Sequence, residues 1–185
     1  TGPLHIGHGR GGIIGDVLSN VLNFLGYNTT REHYINDAGA QMQKLGNSLK
    51  IRCQQELGES VELPEDAYQG EYLKGVAQEC IKEHGNEVVQ KDDQFFIDYG
   101  YAKMLQQLKD TVNGYNIDFD VWFSERTLHP KKVEAALKAL QDNGYIFEQE
   151  GALWFKSTEF GDDKDRVLKK ADGDYTYAAA DAAYI

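Results

Sequence analysis

The stretch TGPLHIGHGRGG, residues 1–12, carries the strongest signal for the fold of this chain. It holds His5 and His8, three residues apart, among five glycines and one arginine. Apolar residues at helical spacing follow it and end at Gly26, which predicts a helix that begins directly after the motif. Backbone N–H groups at such a terminus stabilise anions, and two histidines one turn apart can donate to phosphate oxygens. The stretch therefore predicts a strand-to-helix junction that binds phosphate.

A purely structural role, with no ligand, is also compatible with these residues. A glycine-rich turn before a helix often serves packing alone, and paired histidines are often surface or core residues. A metal site would need a third ligand, and the sequence offers no evident candidate near His5 and His8. We therefore expect no protein-bound metal.

Composition limits the class of protein. The chain has 185 residues, 41% of them hydrophobic and 26% charged, with no apolar run of membrane-spanning length. The net charge of −11 argues against nonspecific nucleic-acid binding, which needs clustered cations. The start has no secretory pattern, and Cys53 and Cys80, with no CxxC spacing, are expected to be reduced, half-buried thiols. These features predict a soluble, cytoplasmic protein.

The rest of the chain alternates between sheet and helix patterns, with one interruption. YNTTREHYIND, residues 27–37, predicts a strand, so the first 37 residues resemble the back half of a βαβ unit whose first strand precedes residue 1. Three predicted helices between 38 and 115 interrupt the pattern as an insertion. A buried strand in 117–125, a helix between Pro130 and Gly144, a hairpin about Gly151 and a pair of strands turning at Asp172-Gly173 follow. This order predicts an α/β fold: a parallel sheet with flanking helices that carries a helical insertion.

The motif and its surroundings resemble the bacterial arginyl-tRNA synthetases of class I. HIGH, residues 5–8, matches the signature of that class. REHYINDAGAQM, YQGEYL, FDVWFSE and FGDDKDRVLKKADGDYTYAAADAAY narrow the resemblance to the arginine family along residues 1–185. The resemblance implies a Rossmann-like catalytic core in residues 1–45 and 116–185, with a helical insertion at 46–115. It also implies that an N-terminal tRNA-contacting domain, the rest of the catalytic domain and an anticodon-binding domain lie outside this sequence.

The family implies roles for individual residues. His5 and His8 match the catalytic histidines that act on the ATP phosphates, with Gly7 and Gly9 completing the ATP-binding set. His8 also approaches the amino acid in this family. Tyr177 and Asp181, four residues apart, match the pair that holds the arginine side chain, and a carboxylate offers a guanidinium two charge-assisted hydrogen bonds.

Alone, these two residues suggest nothing so specific, because a tyrosine near a strand is usually core and such an aspartate usually begins a helix. By the same reasoning, GDDKDR, residues 161–166, is expected to be a solvated turn with internal ion pairs. We assign its residues no role in the chemical reaction. Ile185 stands where bacterial relatives commonly have histidine.

The implied activity is that of an arginine–tRNA ligase. It uses ATP with Mg²⁺, takes L-arginine and tRNA(Arg) as substrates, involves no membrane, and is expected to act as a monomer. These 185 residues alone are expected to be inactive as a truncated catalytic fragment. Two alternatives remain: a small-molecule nucleotidylyltransferase of the related HxGH superfamily, and a non-catalytic fragment.

Overall fold

The computed structural model describes residues 2–185; Thr1, the first residue of the opening stretch, lies outside the described residues. The chain divides into two compact units. The first unit runs to Phe123, and the second is Ser124–Ile185.

The first unit contains four α-helices and two strands among its described residues. They are α1 (Ile6–Phe24), β1 (Glu32–Ile35), α2 (Ala40–Glu56), α3 (Tyr72–His84), α4 (Asp93–Gly114) and β2 (Val121–Ser124), with a 3-10 turn at Asn86–Gln90 between α3 and α4. The four predicted helices are confirmed. The predicted first strand is present but shorter than residues 27–37, and α1 begins inside the HIGH motif rather than after it. The first of the three helices predicted between 38 and 115 starts at Ala40.

The core of the first unit lies between α2, α3 and α4. Leu45, Leu49 and Phe96 are fully buried there, and Gly46 lets α2 approach α4, since a Cβ on it would lie 2.5 Å from Ile97 Cγ1. Cys53 and Cys80 face each other across α2 and α3 as free thiols. Both are fully buried, so the expectation of half-buried thiols is wrong. The apolar stripes of both helices turn inward, which removes these side chains from water.

The two strands of the first unit run parallel. The N–H of Val121 donates to Arg31 O at 3.1 Å, the rings of His33 and Trp122 stack at 5.0 Å, and those of Tyr34 and Phe123 stack at 5.7 Å. Residue numbers increase in the same direction along both strands from one pair to the next, as they do in a parallel pair. Val121 is exposed and the other residues of β2 are half-buried, so the prediction of a buried strand is wrong for the described chain.

The second unit packs two helices on a three-stranded antiparallel sheet. Its elements are α5 (Lys131–Asp142), β3 (Ile146–Gln149), β4 (Ala152–Phe155), β5 (Arg166–Lys169) and α6 (Tyr177–Tyr184), with strand order β3-β4-β5. The predicted helix after Pro130 and the hairpin about Gly151 are confirmed, and Glu150 and Gly151 both have positive φ, as a two-residue hairpin turn requires. The predicted second strand pair is reduced to β5 and one bridge between Lys169 and Tyr175. Helix α6 replaces the missing strand from Tyr177 onward.

Helix α1 stands apart from this packing. None of its 19 residues, all of which the structure describes, is buried, and Ile14 and Leu18 are more than half exposed. A cavity of about 740 Å³ lies beside it. Its lining includes Gly11 and Asp16 of α1, residues 30–36 around β1, and Leu108 of α4. Packing inside the described chain therefore leaves the apolar side of α1 and one flank of β1 open.

Candidate functional site

The HIGH motif forms the first turn of α1. His5 is the N-cap residue, and its Nδ1 accepts a hydrogen bond from the N–H of Gly7 at 3.1 Å. The N–H of His5 in turn donates to Nδ1 of His8 at 3.3 Å. The two imidazole rings stack with centroids 3.6 Å apart. The local sequence thus caps the helix with histidines, where serine, threonine or aspartate would be usual.

This capping fixes which nitrogen of each histidine can donate. In a neutral imidazole one ring nitrogen carries the proton and the other accepts. Because Nδ1 of both His5 and His8 accepts from the backbone, Nε2 carries the proton in both. The motif therefore presents two N–H donors on stacked rings at the N-terminus of a 19-residue helix, where the helix dipole also favours an anion.

Internal packing requires glycine at one position of the motif and does not require it at another. A Cβ at Gly7 would lie 2.9 Å from Cε1 of His5, so glycine is needed there for the His5 ring to fold over the first turn. A Cβ at Gly9 would meet no described atom within 4 Å. Internal packing does not demand glycine at Gly9, whereas a ligand that approaches the main chain closely would.

Several polar residues beside the motif were missed by sequence reasoning. Asp16, Arg31 and His33 line the same cavity as Gly7 and His8. Burial lowers the pKa of His33, and the nearby His8 lowers it further. These residues lie up to 26 positions apart in sequence and no motif joins them, so only the folding of β1 beside α1 reveals the group. The predicted turn Asn36-Asp37 also borders it: Asn36 lines the cavity and Asp37 is buried.

Tyr177 and Asp181 lie in the second unit, on α6. Both are exposed and four residues apart, so they share one side of the helix, while Ala179 and Ala180 are buried on the other. Thr176 anchors the start of α6 on β5, because its N–H donates to Leu168 O at 3.0 Å and its hydroxyl to Val167 O. The predicted common face is thus present, although Tyr177 is the first residue of the helix and not the end of a strand.

The loop Gly161–Arg166 satisfies its own charges. Arg166 donates to both carboxylate oxygens of Asp162 at 2.6 Å and to Asp163 at 2.7 Å, which holds the pKa of the Asp162 carboxyl well below its usual range. Asp165 accepts from the hydroxyl of Thr158 at 2.8 Å. The predicted turn with internal ion pairs is present.

The motif presents groups that suit an anionic ligand. It offers two imidazole N–H donors, the N-terminal end of a helix dipole and an uncrowded glycine, all of them suited to an anion. Among residues 2–185, no three His, Cys, Asp or Glu side chains are placed to hold a metal ion. In the same described range no helix is both long and apolar enough to cross a membrane.

Comparison with known proteins identifies the family. The model of the class I tRNA synthetases (R), catalytic domain, matches residues 1–185. The chain belongs to this family. Its fold is accordingly the class I synthetase catalytic core, a parallel sheet with flanking helices, as the motif predicted.

Individual relatives agree with this assignment. Two arginine–tRNA ligases, from Oceanobacillus iheyensis and Bacillus subtilis, are 48% and 44% identical over 189 residues, covering 100% of this chain and 34% of each relative. A Campylobacter jejuni crystal structure described as an arginyl t-RNA synthetase superposes with a TM-score of 0.88 at 38% identity, over 99% of this chain and 41% of that one. The chain thus spans about a third of the length of the curated relatives it matches.

Proposed function

We propose that the protein containing this synthetase domain is an arginine–tRNA ligase that activates L-arginine with ATP and transfers it to tRNA(Arg). The observation that carries the proposal is the histidine-capped first turn of α1. It provides two Nε2–H donors on stacked imidazole rings at a helix N-terminus, in a chain nearly half identical to named arginine–tRNA ligases.

His5 and His8 act on the phosphates of ATP in this proposal. The arginine carboxylate attacks the α-phosphorus, a new P–O bond forms, and the bond to the bridging oxygen breaks to release pyrophosphate. Charge builds on the phosphoryl oxygens during this step, so the two Nε2–H groups and the N-terminus of α1 stabilise the transition state more than the ground state. Gly7 and Gly9 let the nucleotide approach the main chain, and Mg²⁺ arrives with ATP.

Tyr177 and Asp181 recognise the arginine side chain in this proposal, and His8 approaches the amino acid from the motif. The Asp181 carboxylate accepts two parallel N–H bonds from a guanidinium, a geometry that lysine cannot reproduce. Both side chains are exposed on one side of α6, which supports this assignment.

The domain organisation is part of the proposal. Residues 1–45 and 116–185 contribute to the catalytic domain, and 46–115 form the helical insertion. The cavity along β1 and the open apolar side of α1 are suited to the remaining sheet of the catalytic domain. The tRNA-contacting and anticodon-binding domains belong to the other two-thirds of the length seen in the relatives. The 185 residues alone are therefore expected not to aminoacylate tRNA.

The test is ATP–pyrophosphate exchange by the full-length protein, meaning the polypeptide in which this sequence occurs with the rest of the length its relatives have. With tRNA(Arg) present, we expect exchange that depends on L-arginine and is not supported by L-lysine, followed by charging of tRNA(Arg). Exchange that does not depend on arginine, and that a phosphorylated small molecule supports as the acceptor of the adenylyl group, would instead indicate a nucleotidylyltransferase. The absence of exchange under all conditions would leave a non-catalytic protein.

A further inference from the structure

One arginine joins the motif helix to both strands of the first unit. The Arg31 side chain reaches α1: Nη2 donates to Asn20 Oδ1 at 2.5 Å, and Nε lies 3.1 Å from Asp16 Oδ1 as an ion pair without hydrogen-bond geometry. Asn20 Nδ2 also donates to Asp16 Oδ2 at 2.9 Å. The three side chains form a closed group on one face of α1, since Asp16 and Asn20 are four residues apart.

The backbone of Arg31 holds the strands. Its N–H donates to Asp120 Oδ2 at 2.7 Å, and its carbonyl accepts from the N–H groups of Asp120 and Val121 at 2.9 and 3.1 Å. The same residue therefore ties α1, the start of β1 and the start of β2 together. Its side chain and that of Asp16 are each only 19% exposed, so the pair is shielded from water and is screened little by salt.

This polar group is a direct tie between α1 and the strands, and within residues 2–185 no residue of α1 is buried. A second contact, in which Thr29 donates to Asn23 Oδ1, joins the end of α1 only to the connecting loop. Among these described contacts, Arg31 is the one that joins the middle of α1 to the starts of both strands.

We propose that Arg31, with Asp16 and Asn20, is a positioning clamp that aims the His5–His8 pair for the phosphoryl step; this rests on the proposed function. Asp16 lies eight residues beyond His8, about 12 Å along the axis at 1.5 Å per residue. A tilt of about 5° at Asp16 moves the His8 ring by about 1 Å, a displacement that can cost about 100-fold in rate. Arg31 touches no reacting atom and acts through the helix.

The experiment compares Arg31→Ala and Arg31→Lys with Lys103→Ala in the full-length protein. Lys103 is the matched control because it joins α3 to α4 through Glu79 and Glu83, each at 2.9 Å, and does not contact α1. Hydrogen exchange by mass spectrometry follows peptides from α1 and from α2–α4. Arginine-dependent exchange is measured per active site, with the sites counted by adenylate burst.

For Arg31→Ala we expect faster hydrogen exchange confined to α1, a kcat about 10- to 100-fold lower, and KM values for arginine and ATP within about threefold of wild type. Arg31→Lys should show the same pattern, because an ammonium cannot reach Asp16 and Asn20 in the fork geometry. Lys103→Ala should loosen α3 and α4 and leave kcat unchanged.

Unchanged protection of α1 in Arg31→Ala would overturn the clamp. Loosened α1 with the kcat of the wild type would overturn its role in catalysis. A wild-type protein without arginine-dependent exchange would refute the proposed function, and the α1 peptides would still decide whether Arg31 holds the helix.

Discussion

At the residue scale, the HIGH motif works through backbone hydrogen bonds that its own side chains accept. His5 and His8 use Nδ1 to cap α1, which leaves Nε2 of each as a donor. The same rings therefore begin the helix and present the charge-stabilising groups. These two tasks can be separated by substitution, because asparagine is among the best N-cap residues but has no group at the position of Nε2.

We expect His5→Asn and His5→Ala to lower the rate of adenylate formation in the full-length protein to a similar extent, about 100-fold or more, with a smaller change in ATP affinity. Asparagine keeps the hydrogen bond from the N–H of Gly7. A similar loss of rate in both variants is therefore caused by the missing Nε2–H group. Single-turnover kinetics and ATP titration measure the two quantities. A His5→Asn variant with nearly wild-type rate would show that capping alone is what His5 contributes.

At the element scale, the packing of α2, α3 and α4 can be tested at two glycines in helix interiors. Alanine is expected to lower the free energy of unfolding at one of them and to raise it at the other. Gly46 lies where α2 meets α4, with Ile97 backbone N only 2.9 Å from the position of an added Cβ. Gly75 lies on the exposed side of α3, and an added Cβ there meets no described atom within 4 Å.

Gly46→Ala should lower the free energy of unfolding by about 1–3 kcal/mol, because the methyl group forces α2 and α4 apart. Gly75→Ala should raise it by about 0.5–1 kcal/mol, because alanine loses less backbone entropy in a helix. Urea unfolding followed by circular dichroism measures both. Stabilisation by both substitutions would mean that α2 and α4 do not approach as closely as the structure has them.

At the scale of the whole molecule, the proposed ATP-binding residues belong to the first compact unit, and Tyr177 and Asp181, proposed for the arginine side chain, belong to the second, while His8 is proposed for both ligands. Substitutions at Tyr177 or Asp181 can therefore disturb arginine binding without touching the HIGH motif. Asp174 offers a control for Asp181, because it is another exposed carboxylate of the second unit and precedes α6 in the turn at Gly173.

Asp181→Asn in the full-length protein should weaken arginine binding by about 30-fold or more, since a bound guanidinium loses its charged partner. ATP binding should change little. Isothermal titration with each ligand measures both, and Asp174→Asn should bind arginine as the wild type does. Equal losses for arginine and ATP in Asp181→Asn would contradict the assignment of Asp181 to the arginine side chain.

Much of the fold follows from patterns along the chain. The period of apolar residues identified every helix of the insertion, and Glu150-Gly151 marked a hairpin turn whose two positive φ angles match its type. The ends of elements were less predictable. Tyr175–Tyr177 has the residues of a strand, yet Thr176 caps a helix there because its backbone and hydroxyl bond to β5. Such tertiary hydrogen bonds leave no periodic trace in sequence.

The sequence by itself determined the family, the histidine pair and the helical insertion, because those rest on short-range spacing and on a motif that is contiguous. Only the tertiary structure decided how α1 is held: Asp16, Asn20, Arg31 and Asp120 are scattered over 105 positions and meet because β1 and β2 pair in parallel beside α1. It also decided that both thiols are fully buried and that Nε2 is the donating nitrogen of each histidine. Contacts between distant residues depend on how elements pack, and packing is set by the whole fold rather than by any local stretch.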